Sequence, residues 1–228
     1  MAVLILVCAL AASALEAEEG PSRIHQHLSA RGPDAGCSCE GAELCTQLPL
    51  VVIDTGGQEI PGAPMGYDVD GETIYSTTTD GESMLSAQLS ILDNETRNHH
   101  PSDTPDLESA GLIRIRGRSS RYFDKHNYLL RFTDDDGTYA DYEVMGMDAH
   151  YEWTLHGPYL DKSLIRNYLW YNIAGEMMEY SPNVRFCEVI LNGEYQGIYL
   201  MTETITNGEN SRVNVSEPID NSTSTGYV

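Results

Sequence analysis

The chain has 228 residues, 41% of them hydrophobic, which is enough for one full domain or one domain and part of another. It carries 13 Lys and Arg against 35 Asp and Glu, a formal net charge of −22. So acidic a surface repels phosphate backbones and anionic membranes, which argues against nucleic-acid binding and leaves solubility as the plain reading of the charge.

The first element is an apolar run from Ala2 to Leu15, too short to span a bilayer comfortably. Ala12-Ser13-Ala14 offers a small-residue cleavage site, so residues 1–14 are expected to be a secretory signal peptide, although no Lys or Arg precedes the run. A secreted or cell-surface location follows, with no stable membrane span. Residues 15–46 are acidic, contain Gly and Pro, and show no periodicity, as a linker does. This linker holds Cys37, Cys39 and Cys45. Their C-x-C-x5-C spacing could donate to a metal, but it is a poor zinc signature without a nearby fourth ligand, and disulfides in an exported protein are the better expectation. Cys187 lies in an apolar stretch and reads as a buried free thiol.

Order is expected to begin at "LPLVVID", Leu48 to Asp54, a buried strand. A Gly-, Pro- and Thr-rich stretch runs on to about Ser83. Its "DVDGE" resembles a scrap of a calcium loop without the full ligand spacing. "MLSAQLSIL", Met84 to Leu92, reads as a strand, and "DNETRNHHPSDTP" as a solvated polar loop carrying His99 and His100. Sequons stand at Asn94, Asn214 and Asn221. "GLIRIRG" alternates, with Ile113 and Ile115 on one face and Arg114 and Arg116 on the other. "RSSRYFDK" is a loop with two hydroxyls and three cations, "HNYLLRF" a second strand, and Asp134 to Asp136 a solvated turn. A helix is expected from Asp161 to Tyr180, N-capped by Asp161, with Ile165, Leu169, Ile173 and Met177 as its core stripe, widened by Leu164, Tyr168 and Tyr171. "VRFCEVILNGEYQGIYLMTE" is a hairpin turning on Asn192-Gly193.

The basic cluster is the feature that asks for a function. Arg114, Arg116, Arg118, Arg121, Lys125 and Arg131 are 6 of the 13 positive charges and fall within twenty residues. Surface ion pairs contribute about 0–1 kcal/mol each and would not demand such clustering. Guanidiniums spaced by two on a strand, beside a Gly-Ser-Ser loop with free N–H groups, suit an anion such as phosphate. Recognition of an acidic partner remains the third possibility.

The motifs "RIRGRSSRYFDKHNY", "VMGMDAHYEWTLHGPYLDKSLIRNYLWYNIAGEMM" and "VRFCEVILNGEYQGIYLMTETI" resemble those of the CotH kinase family of secreted or surface-associated atypical kinases. The resemblance implies an α+β, protein-kinase-like fold: an N-lobe-type antiparallel sheet with one long helix, over residues 47–228, with most of the C-lobe missing. It implies ATP, a divalent cation (Mg²⁺ or Mn²⁺), and phosphate transfer to Ser or Thr of an exported or surface protein substrate. Lys125 would then contact the ATP phosphates, Arg118, Ser119, Ser120 and Arg121 would form the phosphate-facing loop, and Glu203 would contact nucleotide in a hinge from Met201 to about Gly208. A helix-centre Glu paired with the lysine is replaced here by Asn167 and Asn172. The catalytic base and metal-binding acids are expected beyond Val228, so the chain as it stands should not complete phosphoryl transfer. The alternative is a non-catalytic surface or coat protein that uses the same fold for adhesion or assembly.

Overall fold

The structure is a computed structural model that describes residues 25, 26, 37, 44–178 and 180–205. The expected signal peptide, nearly all of the linker, Cys39, the sequons at Asn214 and Asn221, and the hinge beyond Ile205 lie outside the described residues.

Eleven strands are described: β1 (Leu50–Asp54), β2 (Pro64–Tyr67), β3 (Thr73–Tyr75), β4 (Leu85–Leu92), β5 (Leu107–Arg116), β6 (Asn127–Thr133), β7 (Tyr142–Val144), β8 (Met147–His150), β9 (Glu152–His156), β10 (Val184–Leu191) and β11 (Glu194–Glu203). Seven of them close a barrel in the order β1-β10-β11-β9-β6-β5-β4, and β2-β3 and β7-β8 form two small hairpins outside it. One strand makes the closure. β1 pairs antiparallel with β4 and parallel with β10, so neither edge of the sheet stays open.

Alternation fills the interior. Ile113 and Ile115 from β5, Tyr128, Leu130 and Phe132 from β6, Trp153 and Leu155 from β9, Cys187 and Val189 from β10, and Tyr199 and Met201 from β11 point into one apolar core. A barrel of this size has just enough room for side chains and holds no channel. The β10–β11 turn is made as expected, with positive φ at both Asn192 (51°) and Gly193 (79°). Burial pushes the pKa of the Cys187 thiol up to about 12, as befits a free thiol walled into the core.

This architecture corrects the expected α+β fold with an N-lobe-type sheet and a long helix. The described chain is mostly β, its sheet closes on itself, and its helix is short. That helix, α1, covers Arg166–Met177, 12 residues instead of the twenty from Asp161 to Tyr180. The cause is local. Leu164 has φ 63°, which breaks helical propagation, and the Asp161 carboxylate reaches past it to accept the Arg166 N–H (2.8 Å) and the Ser163 N–H (3.0 Å).

Of the face α1 was expected to bury, only the aromatic flank at Tyr168 and Tyr171 packs inward. Tyr168 and Asn172 face the barrel, where Tyr168 stacks on Phe186 (4.7 Å) and packs with Val184 and Leu200. Ile165, Leu169, Ile173 and Met177 are exposed, with Trp170 beside them. Two other expectations change. "DVDGE" is the β2–β3 turn, in which the Asp68 carboxylate accepts the N–H groups of Asp70 and Glu72. His99 is fully buried, its ring held between the Leu48 carbonyl and the Asn94 N–H. Asp134 and Asp136 hold an exposed turn by accepting the Thr138 N–H, as expected.

Candidate functional site: a cationic cavity on the barrel wall

The residues that alternate with the barrel core build the site. β5 turns Arg114 and Arg116 outward, β6 turns out Leu129 and Arg131, and β9 turns out Glu152, Thr154 and His156. The register lines up Arg114, Leu129, Thr154 and Thr202 in one row across four neighbouring strands. With Asn167 and Tyr171 of α1, Pro182, and the end of β11 through Ile205, they enclose a cavity of about 520 Å³.

Its electrostatics are unbalanced. Arg131 is satisfied: its Nε donates to Glu152 at 2.8 Å and its Nη1 to the Tyr139 hydroxyl at 2.9 Å. Burial works against its charge, but the Glu152 contact outweighs that and raises its pKa. The guanidiniums of Arg114 and Arg116 have no ion-pair or hydrogen-bond partner among the described residues. Burial, and then the repulsion of Arg121 and Arg131, lowers the pKa of Arg114 from the usual guanidinium value. Burial and the nearby Arg116 depress His156, which is therefore neutral at pH 7. The two carboxylates on the cavity wall are already engaged: Glu152 by Arg131, and Glu203 by the Asn183 N–H at 2.7 Å. A partly buried Arg114 and an exposed Arg116, both unpaired, beside a neutral imidazole form a site that an anion completes.

The expected site residues divide between this cavity and other duties. Glu203 lines the cavity. Arg118 and Ser119 are exposed on the loop after β5, at the start of a 3-10 turn over Ser119–Tyr122. The Ser120 hydroxyl accepts from Asn127 Nδ2 at 3.1 Å. Arg121 is buried and holds the fold together: its Nη1 donates to the Gly62 carbonyl (2.7 Å), its Nε to the Gly117 carbonyl (2.5 Å), and its guanidinium lies 4.1 Å from the Tyr75 ring centre. Gly62, at φ 105°, permits this approach, since a Cβ there would sit 2.8 Å from Arg121 Nη1. Lys125 donates to the Gln196 carbonyl (3.2 Å) and lies over the Tyr199 ring (4.4 Å), and burial lowers its pKa.

Glu152, Thr154 and His156 were absent from the sequence-based site. The signal that could have found them is the period-two pattern of "EWTLH", in which Trp153 and Leu155 alternate with these three.

No helix among the described residues is long and apolar enough to cross a membrane. A comparison with curated proteins found no match. The family comparison supports a kinase-like or coat-related role and is consistent with a surface location. A family model described as CotH kinase protein matches residues 113–223, from the middle of β5 onward, the same family that the motifs of the sequence resemble.

Proposed function

We propose that the cavity binds the phosphates of ATP, and that the chain is the nucleotide-binding part of a kinase that phosphorylates Ser or Thr on exported or surface proteins. The observation that carries this reading is the pair Arg114 and Arg116, two guanidiniums without a partner that face one cavity of an otherwise strongly acidic chain. A triphosphate fits that donor set. Each guanidinium offers a planar fork to phosphate oxygens, and two residues' spacing on a strand puts consecutive forks on the same side. Glu152 keeps Arg131 on the wall, so that its charge adds to the field without a phosphate contact of its own. Neutral His156 can accept or donate a hydrogen bond at the polyphosphate. The row of Leu129, Thr154 and Thr202 gives a mixed apolar and hydroxyl surface for a base.

Catalytically, these groups would hold the nucleotide still and offset charge that builds on the transferring phosphoryl group. A divalent cation, Mg²⁺ or Mn²⁺, would arrive with the nucleotide and would supply further positive charge to offset that of the phosphates. Secretion of the protein agrees with its N-terminal sequence and with an exported substrate.

The test is calorimetric titration of the chain with ATP, ADP, AMP and adenosine in the presence of Mg²⁺. Affinity should fall at each step as phosphates are removed, by about tenfold or more for each lost charged contact. Equal affinity for ATP and adenosine, or none for either, would sink the reading.

A further inference from the structure

We infer that Cys37, Cys45 and His100 form a zinc site that clips the segment before β1 to the loop between β4 and β5. The three ligand atoms lie within 4.8 Å of one another, and His100 comes from a loop far away in sequence. The spacing of these atoms is informative. Zinc–sulfur bonds near 2.3 Å and zinc–nitrogen bonds near 2.0 Å at tetrahedral angles require S···S of about 3.8 Å and S···N of about 3.5 Å. Cys37 Sγ and Cys45 Sγ are 3.7 Å apart, and Cys37 Sγ is 3.3 Å from His100 Nε2. A disulfide would bring the sulfurs to about 2.05 Å and would give the imidazole nothing to do.

The surroundings match those of a metal ligand set. His100 turns Nε2 toward the sulfurs while its other ring nitrogen, Nδ1, meets the Asp103 carboxylate at 3.2 Å. A carboxylate on the far nitrogen fixes the ring and raises its basicity as a ligand. The same Asp103 oxygen accepts the His100 backbone N–H at 3.0 Å, which sets the loop. Asn98 Nδ2 donates to Cys45 Sγ at 3.2 Å, a contact that favours a thiolate. The backbone is held independently of any metal: Thr46 and His99 exchange hydrogen bonds of 3.1 and 2.8 Å, which seats Cys45 beside His100. Two thiolates and an imidazole select zinc over magnesium or calcium.

The test uses the whole chain, produced with zinc and without chelator, its folding checked by near-UV circular dichroism and its metal counted by mass spectrometry. The expected result is about one zinc per chain, falling below about a tenth of that in Cys45→Ser and His100→Gln. Cobalt should replace the zinc and give the intense visible bands of a tetrahedral thiolate site. Asp103→Asn should keep the fold and weaken zinc binding about tenfold. If Cys45→Ser does not fold, His100→Gln and Asp103→Asn still give the answer. Zinc below about a tenth of an equivalent in the folded, zinc-supplied protein would overturn the inference. So would a Cys37–Cys45 disulfide found by non-reducing peptide mapping, or full zinc content in folded His100→Gln.

Discussion

Four of the six cations of residues 113–132 fall into two groups that a sequence cannot tell apart. Arg114 and Arg116 sit on a strand, face a cavity and have no partner among the described residues. Arg121 and Lys125 sit in the next loop, and both give their protons to backbone carbonyls and their charge to tyrosine rings. The first pair is charge available to a ligand. The second pair is charge spent on structure, since it ties the β5–β6 loop to the segment before β2 and to β11. Density of positive charge along a chain therefore says where a function could lie, and pairing decides which of the charges can serve it.

The largest effect should come from the free pair. Replacing Arg114 and Arg116 together by Ala should weaken ATP binding about 100-fold or more, roughly 2.7 kcal/mol, and leave the melting temperature close to that of the parent. Calorimetry and thermal unfolding on the same samples separate the two quantities. Next is Arg121→Ala, with the reverse profile: it leaves the Gly62 and Gly117 carbonyls without their buried donor, which should cost about 2 kcal/mol of stability while ATP affinity changes little. A loss of affinity greater than that of the Arg114/Arg116 double variant would erase the distinction between the groups. Lys125→Met should lower the denaturation midpoint by less, about 1 kcal/mol, and shift affinity less than threefold. The resemblance to kinases implies a tenfold loss or more at this lysine, so the variant sharpens the comparison directly.

The smallest effect concerns pH. His126 and His156 both have pKa values held below the ordinary 6.5, in each case mainly by burial. The unfolded chain then binds protons that the folded chain refuses. Their contribution is complete above pH 6.5 and is lost as the pH falls below that value toward their folded pKa values. The melting temperature should drop between pH 7 and 5, and His156→Gln should make that drop shallower.

The outward pair Arg114 and Arg116 was legible in the sequence because it rests on a local, period-two pattern, whereas of the residues expected to bind nucleotide only Glu203 lines the cavity. The alternation in "GLIRIRG" put the right side chains inside and outside, and Asn192-Gly193 announced the hairpin. Barrel closure was not legible. It depends on the parallel pairing of Leu50–Ile53 with Glu188–Leu191, segments whose contact no local pattern encodes. The orientation of α1 was legible only in part, for a different reason. Its apolar residues form two stripes, and the aromatic one at Tyr168 fits the Phe186 ring on the barrel wall, which leaves the aliphatic one outside. The role of His100 was hidden because its partners stand 55 and 63 residues away.

The most direct measurement is side-chain NMR of the arginine Nε–Hε groups during titration with ATP and Mg²⁺. Free guanidiniums that close on phosphate should move strongly, and those already bonded to carbonyls should not. The expected result is large, saturable shifts for Arg114 and Arg116 with Arg121 unmoved. Shifts centred on Arg121 while Arg114 and Arg116 stay fixed would contradict the assignment of the cavity as the phosphate site.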